Sequence, residues 1–157
     1  MNHGLEVARL IDATPEEVFD AFTNPAGQDA FYGQNDPGWI VRSQCDLRVG
    51  GVWTVDFGSS PRELYRHRHV FEVIDRARRL LLSTTETRLD GSTLRFETEF
   101  RFEPSEEKTL MTMTQRGIPT AELREEHRRG VPNALARLER LIRLTRTLPE
   151  TRHDPTR

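Results

Sequence analysis

The sequence predicts an α+β domain. A curved antiparallel sheet of six or seven strands wraps around one long C-terminal helix, and two short helices lie between the first and second strands. Three observations carry this. From Thr120 to Leu148, apolar residues recur at Leu123, Val131, Leu135, Leu138, Leu141, Ile142 and Leu148 among arginines and glutamates, the stripe of an amphipathic helix. From Thr93 to Glu103 the chain alternates, with Leu94, Phe96, Thr98, Phe100 and Phe102 on one face and Arg95, Glu97, Glu99, Arg101 and Glu103 on the other. That is the pattern of an antiparallel strand with one buried and one wet face. Thr14-Pro15-Glu16-Glu17 carries the signs of a helix start: an N-cap threonine, a proline at the first helical position and a glutamate three residues on. Burying each apolar residue of the long helix contributes ~1.5–3 kcal/mol, so the helix needs an apolar surface, and the strands are the available one.

The elements follow in order. Leu5 to Asp12 reads as a first strand. Val18, Phe19, Ala21 and Phe22 give the first short helix its buried side, and Asn24-Pro25 ends it. Ala26 to Tyr32 reads as the second helix and Gln34 to Gly38 as loop. Trp39 to Arg48 is a strand, Val49-Gly50-Gly51 a tight turn that uses glycine's access to positive φ, and Val52 to Phe57 the returning strand. Gly58-Ser59-Ser60-Pro61 is expected as loop, Glu63 to Asp75 and Arg79 to Thr87 as strands, Asp90-Gly91 as a hairpin turn, and Thr109 to Arg116 as the last strand. Pro132 lacks an amide donor and restricts Val131, so a kink or short break is expected between Thr120–Arg129 and Pro132–Leu148.

Composition sets further bounds. At 157 residues and 18.2 kDa the chain suits one domain, residues 1–148, with a polar tail at 149–157 expected to be disordered. A net charge of -2 gives no basic excess to follow a phosphate backbone, which disfavours nucleic acid as a partner. One cysteine, Cys45, excludes an internal disulfide and an all-cysteine metal site. No apolar run approaches ~18 residues, so no membrane insertion is expected and a cytoplasmic location is.

Several residues invite a chemical reading. Tyr65, His67, His69, Phe71 and Val73 share one face of the fourth strand by their spacing of two. Trp53, Val55 and Phe57 share a face of the third. If those faces are concave, they look with Phe96, Thr98 and Phe100, and with Val131 and Leu135 of the helix, into a common cavity, where Gln115 is a further polar group. His67-x-His69 could chelate zinc only with a third ligand; His127 is the nearest helical candidate and no carboxylate is clearly placed, so no metal and no cofactor are expected. Glu97 and Glu99 read as a solvated charge ladder with Arg95 and Arg101. Cys45, with no cationic neighbour, reads as inert.

Asp12 to Phe22, Asp46 to Trp53, and Gly130 followed by Leu135 and Leu138 resemble the opening, second hairpin and last helix of the activator of heat shock protein 90 ATPase homologue family. That family belongs to the START-like (SRPBCC) superfamily with the helix-grip fold, and the resemblance spans about residues 5–148. It implies a hydrophobic cavity between sheet and helix that binds a small apolar or lipid-like molecule, in a monomer or homodimer. An enzyme of the cyclase or hydrolase kind, using Tyr65, His67 or His69 as acid/base, is the alternative, and a co-chaperone-like protein-partner module a further one. The family's usual aromatic after the last glycine is Val131 here, which implies extra room at that end of the cavity.

Overall fold

The computed structural model describes residues 3–147. Its order is β1 (His3–Ile11), α1 (Pro15–Phe22), α2 (Pro25–Phe31), β2 (Ile40–Cys45), β3 (Val52–Ser60), β4 (Glu63–Asp75), β5 (Arg79–Thr87), β6 (Thr93–Ser105), β7 (Lys108–Ile118) and α3 (Ala121–Thr147). The seven strands form one antiparallel sheet in the order β1-β7-β6-β5-β4-β3-β2. The α+β architecture read from the sequence is the observed one. Expected and observed limits of β4 and β5 coincide.

Local chemistry explains the short helices. Glu17 N–H donates to Thr14 Oγ1 at 3.2 Å while Thr14 N–H donates to Glu17 Oε1 at 2.8 Å, a reciprocal cap on α1. Asn24 Oδ1 accepts from Ala26 N–H at 3.1 Å and Pro25 opens α2. The two helices meet at Gly27, where a Cβ would stand 1.8 Å from the Ala21 carbonyl oxygen. This close approach lets the end of α2 reach the sheet. Phe22 fixes the layer from beneath, with ring centroids 5.1 Å from Phe31, 5.7 Å from Trp53 and 4.6 Å from Phe100.

α3 lies across the concave face with Val131, Ala134, Leu135, Leu138 and Ile142 buried. Arg9 Nε donates to Glu139 Oε1 at 2.8 Å and ties the helix to β1. Leu94, Phe96, Thr98, Phe100 and Phe102 are all buried, as their alternation predicts. Among the described residues no helix is long and apolar enough to cross a membrane.

Five details differ from the sequence reading. α3 is continuous through Gly130-Val131-Pro132, because Pro132 is exposed and the carbonyl it leaves unbonded, that of Arg128, belongs to an exposed residue near water. Gly58, Ser59 and Ser60 belong to β3; a Cβ on Gly58 would meet Glu63 O at 1.9 Å, so glycine permits a tight pairing there. The β2–β3 connection runs from Asp46 to Gly51 instead of turning tightly, and it is anchored on β4 by Gly50 N–H to Phe71 O at 2.8 Å. A register shift between Phe71 and Val73 turns Ile74, and not Val73, onto the core. Glu99 is buried and takes Arg79, Arg116 and Arg101 at 2.5, 2.8 and 3.1 Å, so its charge is held across strands more than along one. Leu148 and the tail lie outside the described residues.

Candidate functional site

Between the sheet and α3 lies a cavity of about 300 Å³. Its polar and helix-borne residues come from five places in the chain. β4 supplies Tyr65, His67 and His69; α2 ends at Tyr32; β5 supplies Glu86; β7 supplies Gln115; and α3 supplies Glu126, His127, Gly130, Val131 and Ala134. Phe57, Phe100 and Met113 complete the apolar wall, and Trp39 stands at the edge, 36% exposed.

Tyr32 is placed by backbone geometry. It caps α2, Gly33 follows at φ +106, and Trp39 Nε1 donates to Tyr32 O at 2.9 Å. Its hydroxyl lies 2.7 Å from His67 Nδ1 and 2.8 Å from His69 Nε2. His67 Nε2 lies 2.7 Å from Glu86 Oε1, and His69 Nδ1 lies 2.8 Å from Thr84 Oγ1, which is 2.9 Å from Thr98 Oγ1. A carboxylate only accepts, so His67 Nε2 donates to Glu86. With both rings neutral, every other direction follows. Tyr32 O–H donates to His67 Nδ1, His69 Nε2–H donates to the tyrosine oxygen, Thr84 donates to His69 Nδ1, and Thr98 donates to Thr84.

Glu86 is the centre of the polar end. Its side chain is 4% exposed, and its second oxygen accepts from Arg88 Nη1 at 2.6 Å. Arg88 Nη2 donates to Glu126 at 3.0 Å, and the guanidinium sits 5.7 Å from the Tyr65 ring centroid. Burial opposes charge on Glu86, but the proximity of His127 and the hydrogen bond from His67 outweigh it, so the carboxyl is held well below its ordinary range. Burial depresses the His69 pKa strongly, with His67 adding to the effect; burial raises that of Tyr32, with Glu86 adding. The chain therefore keeps a neutral histidine and a neutral tyrosine beside an ionised carboxylate.

His127 completes the set. Its Nδ1 lies 2.8 Å from Gln115 Oε1, and its Nε2 is 3.1 Å from Glu86 Oε1 but off the line a hydrogen bond needs. His127 Nε2 and the indole nitrogen of Trp53 are buried without a hydrogen-bond partner among the described residues.

Of the residues expected around a cavity, Phe57, Tyr65, His67, His69, Phe100, Val131 and Gln115 line it. Trp53, Val55, Phe71, Phe96, Thr98 and Leu135 are buried in the surrounding core. Tyr32 and Glu86 were missed in the sequence, as were Trp39, Met113, Glu126 and Ala134. Leu80, Leu82, Thr84 and Glu86 alternate as one buried face of β5, and that spacing is the signal that could have found Glu86. Cys45 is half-buried and accepts a 3.5 Å contact from Gln28 Nε2; burial raises its pKa, as expected of an unreactive thiol.

The family model described as Activator of Hsp90 ATPase homolog 1-like protein matches residues 12–143. No curated protein matches the chain. Among solved structures, an uncharacterised protein from Rhizobium leguminosarum superposes with a TM-score of 0.80 at 16% identity, covering 91% of this chain and 95% of the other. A protein from Chromobacterium violaceum gives 0.76 at 20% identity, covering 88% and 96%. The AHSA1 protein from Silicibacter pomeroyi gives 0.75 at 17% identity, covering 91% and 99%. At these identities the likeness is one of fold.

Proposed function

The chain belongs to the family of Activator of Hsp90 ATPase homolog 1-like proteins, and from that premise we propose that its cavity binds one small, largely apolar molecule with a polar end. The observation that carries this is the cavity's mixed lining. Phe57, Phe100, Met113, Val131 and Ala134 offer no hydrogen bonds, while Tyr32, His67, Glu86 and His127 form one polar cluster among them. Water has few partners along the apolar wall, so an apolar ligand is the better filling. Phe57, Tyr65, Phe100 and Val131 are its walls in this reading, and His67 its nearest polar neighbour. Native mass spectrometry of gently purified protein tests it, together with thermal shifts against 2-naphthol, decanol and decanoic acid. A bound mass or a rise in melting temperature is expected. Neither effect with any of them would refute the reading.

One observation favours a second, catalytic reading. Glu86 orients His67 as a carboxylate orients a general base, and the sequence alone offered no such group. In a hydrolase of this kind His67 Nδ1, which Tyr32 O–H occupies here, would exchange that partner for a water and take its proton as the water attacks a bound ester. Release of 4-nitrophenol from 4-nitrophenyl butyrate should then fall to the buffer rate in Glu86→Gln. Equal rates for both proteins would remove this reading and leave the binding reading in place.

A further inference from the structure

His127 Nε2 is the cavity's unexplained atom. The side chain is 8% exposed, so it has almost no access to water, and Nε2 has no hydrogen-bond partner. It stands beside two carboxylates. Glu86 Oε1 is 3.1 Å away, and ligand atoms of Glu86, Glu126 and His127 all lie within 4.8 Å of one another. A buried imidazole nitrogen left unbonded beside a carboxylate loses free energy that a shared cation would return.

We propose that His127 Nε2, Glu86 and Glu126 form a binding site for a divalent transition-metal ion, zinc being the best match, with its remaining coordination position facing the cavity. One imidazole and two carboxylates are donors that zinc accepts in a four-coordinate site with one open position. The edge between two ligands in a tetrahedral zinc site is about 3.3 Å for bonds of ~2.0 Å, close to the present separation of His127 Nε2 and Glu86 Oε1. Glu126 is the adjustable member. Its side chain is 41% exposed and can move inward without unpacking the core.

The surroundings support the ligands. His127 Nδ1 is 2.8 Å from Gln115 Oε1, so it can donate there and present the lone pair of Nε2 to the ion. Arg88 and His67 hold the Glu86 carboxylate in place through separate oxygens. Arg88 also bonds Glu126, so its charge offsets one of the two carboxylates and leaves the triad with a single net negative charge before the ion arrives. The ion thus meets a neutralising but not strongly attractive site, and its affinity is lower than two unpaired carboxylates would give. His67-x-His69, the pair that the sequence singled out, is not the ligand set, because Tyr32 bridges both rings and Thr84 takes the far nitrogen of His69.

The test is a cobalt titration of the full chain after dialysis against chelator, read by visible absorption, with zinc added at the end. The expected result is saturation at one equivalent with the intense bands of a four- or five-coordinate ion, abolished by zinc. Glu126→Gln and His127→Phe should each weaken binding about tenfold or more. Glu126 is half exposed, so Glu126→Gln keeps the test decisive if His127→Phe fails to fold. Only the weak spectrum of the aquo ion, or an unchanged titration midpoint in Glu126→Gln, overturns the proposal.

Discussion

His67 Nε2 stands 2.7 Å from Glu86 Oε1 because of a register shift in β4. Val73 pairs with Leu81, and the same register continued would set Thr87 opposite His67. The extra residue at Glu72 shifts the ladder by one, so His67 and not Arg68 stands opposite Glu86, which faces inward by the alternation of β5. The hydrogen-bonded pair is therefore a product of strand register as much as of residue choice.

Glu86→Ala should be strongly destabilising. It would leave the Arg88 charge without its 2.6 Å partner and His67 without its acceptor in a buried place. Each buried donor left unsatisfied costs ~1–3 kcal/mol, while Arg88 keeps Glu126 as a partner. Urea melts at neutral pH measure this, and a loss below ~1 kcal/mol would show that the network contributes little.

Stability should fall in mild acid. His69 is buried with its pKa depressed, so from the ordinary histidine value near 6.5 downward the unfolded chain binds a proton that the folded chain refuses. Stability from this group is full above that value and declines as pH falls toward the depressed one. Glu86 adds a second decline below about pH 4.5, where the unfolded carboxyl takes a proton before the folded one does. Thermal melts between about pH 7 and about pH 5 should show a falling midpoint. His69→Gln should be less stable at neutral pH but vary less with pH over the same range. A wild-type midpoint that stays level would contradict the neutral, buried His69.

Much of this is readable in the sequence. The strand faces of β6, the capping box of α1 and the long helix all rest on local periodicity, and they appear as the sequence implies. The cavity's shape was harder. Phe57 and Phe100 line it while Phe71 and Phe96, with the same parity along their strands, are core, because the curvature of the sheet decides which inward residue meets a void. Tyr32 was hidden for another reason. It ends a short helix, and its direction depends on Gly33, Trp39 and the Gly27 contact, none of which has a period. Glu86 was legible in β5's alternation, but its pairing with His67 depended on the shift at Glu72. The break expected at Pro132 failed because a helix at the surface tolerates a lost amide bond there.

Val131→Trp should stabilise the protein without ligand. Val131 is 6% exposed and lines the cavity, so a larger ring would replace void with contact. The same change should weaken any ligand that reaches that wall. Denaturant melts decide it: a loss of ~1–3 kcal/mol with an unchanged m-value would mean the wall is already fully packed.

The central claim is that this space is a ligand site, and Gly130→Leu tests it most directly. Gly130 lines the cavity at an exposed helix position, and a Cβ there meets nothing within 4 Å, so a leucine has room to fold against the cavity mouth. Leucine also favours a helix over glycine by up to ~1 kcal/mol, so folding is not impaired. The measurement is a calorimetric titration of 2-naphthol into wild type and Gly130→Leu, alongside urea melts of both. The account predicts one saturable site in wild type and at least about tenfold weaker binding in the variant, whose stability is equal or higher. No saturable binding to wild type, or equal affinity for the two proteins, would contradict it.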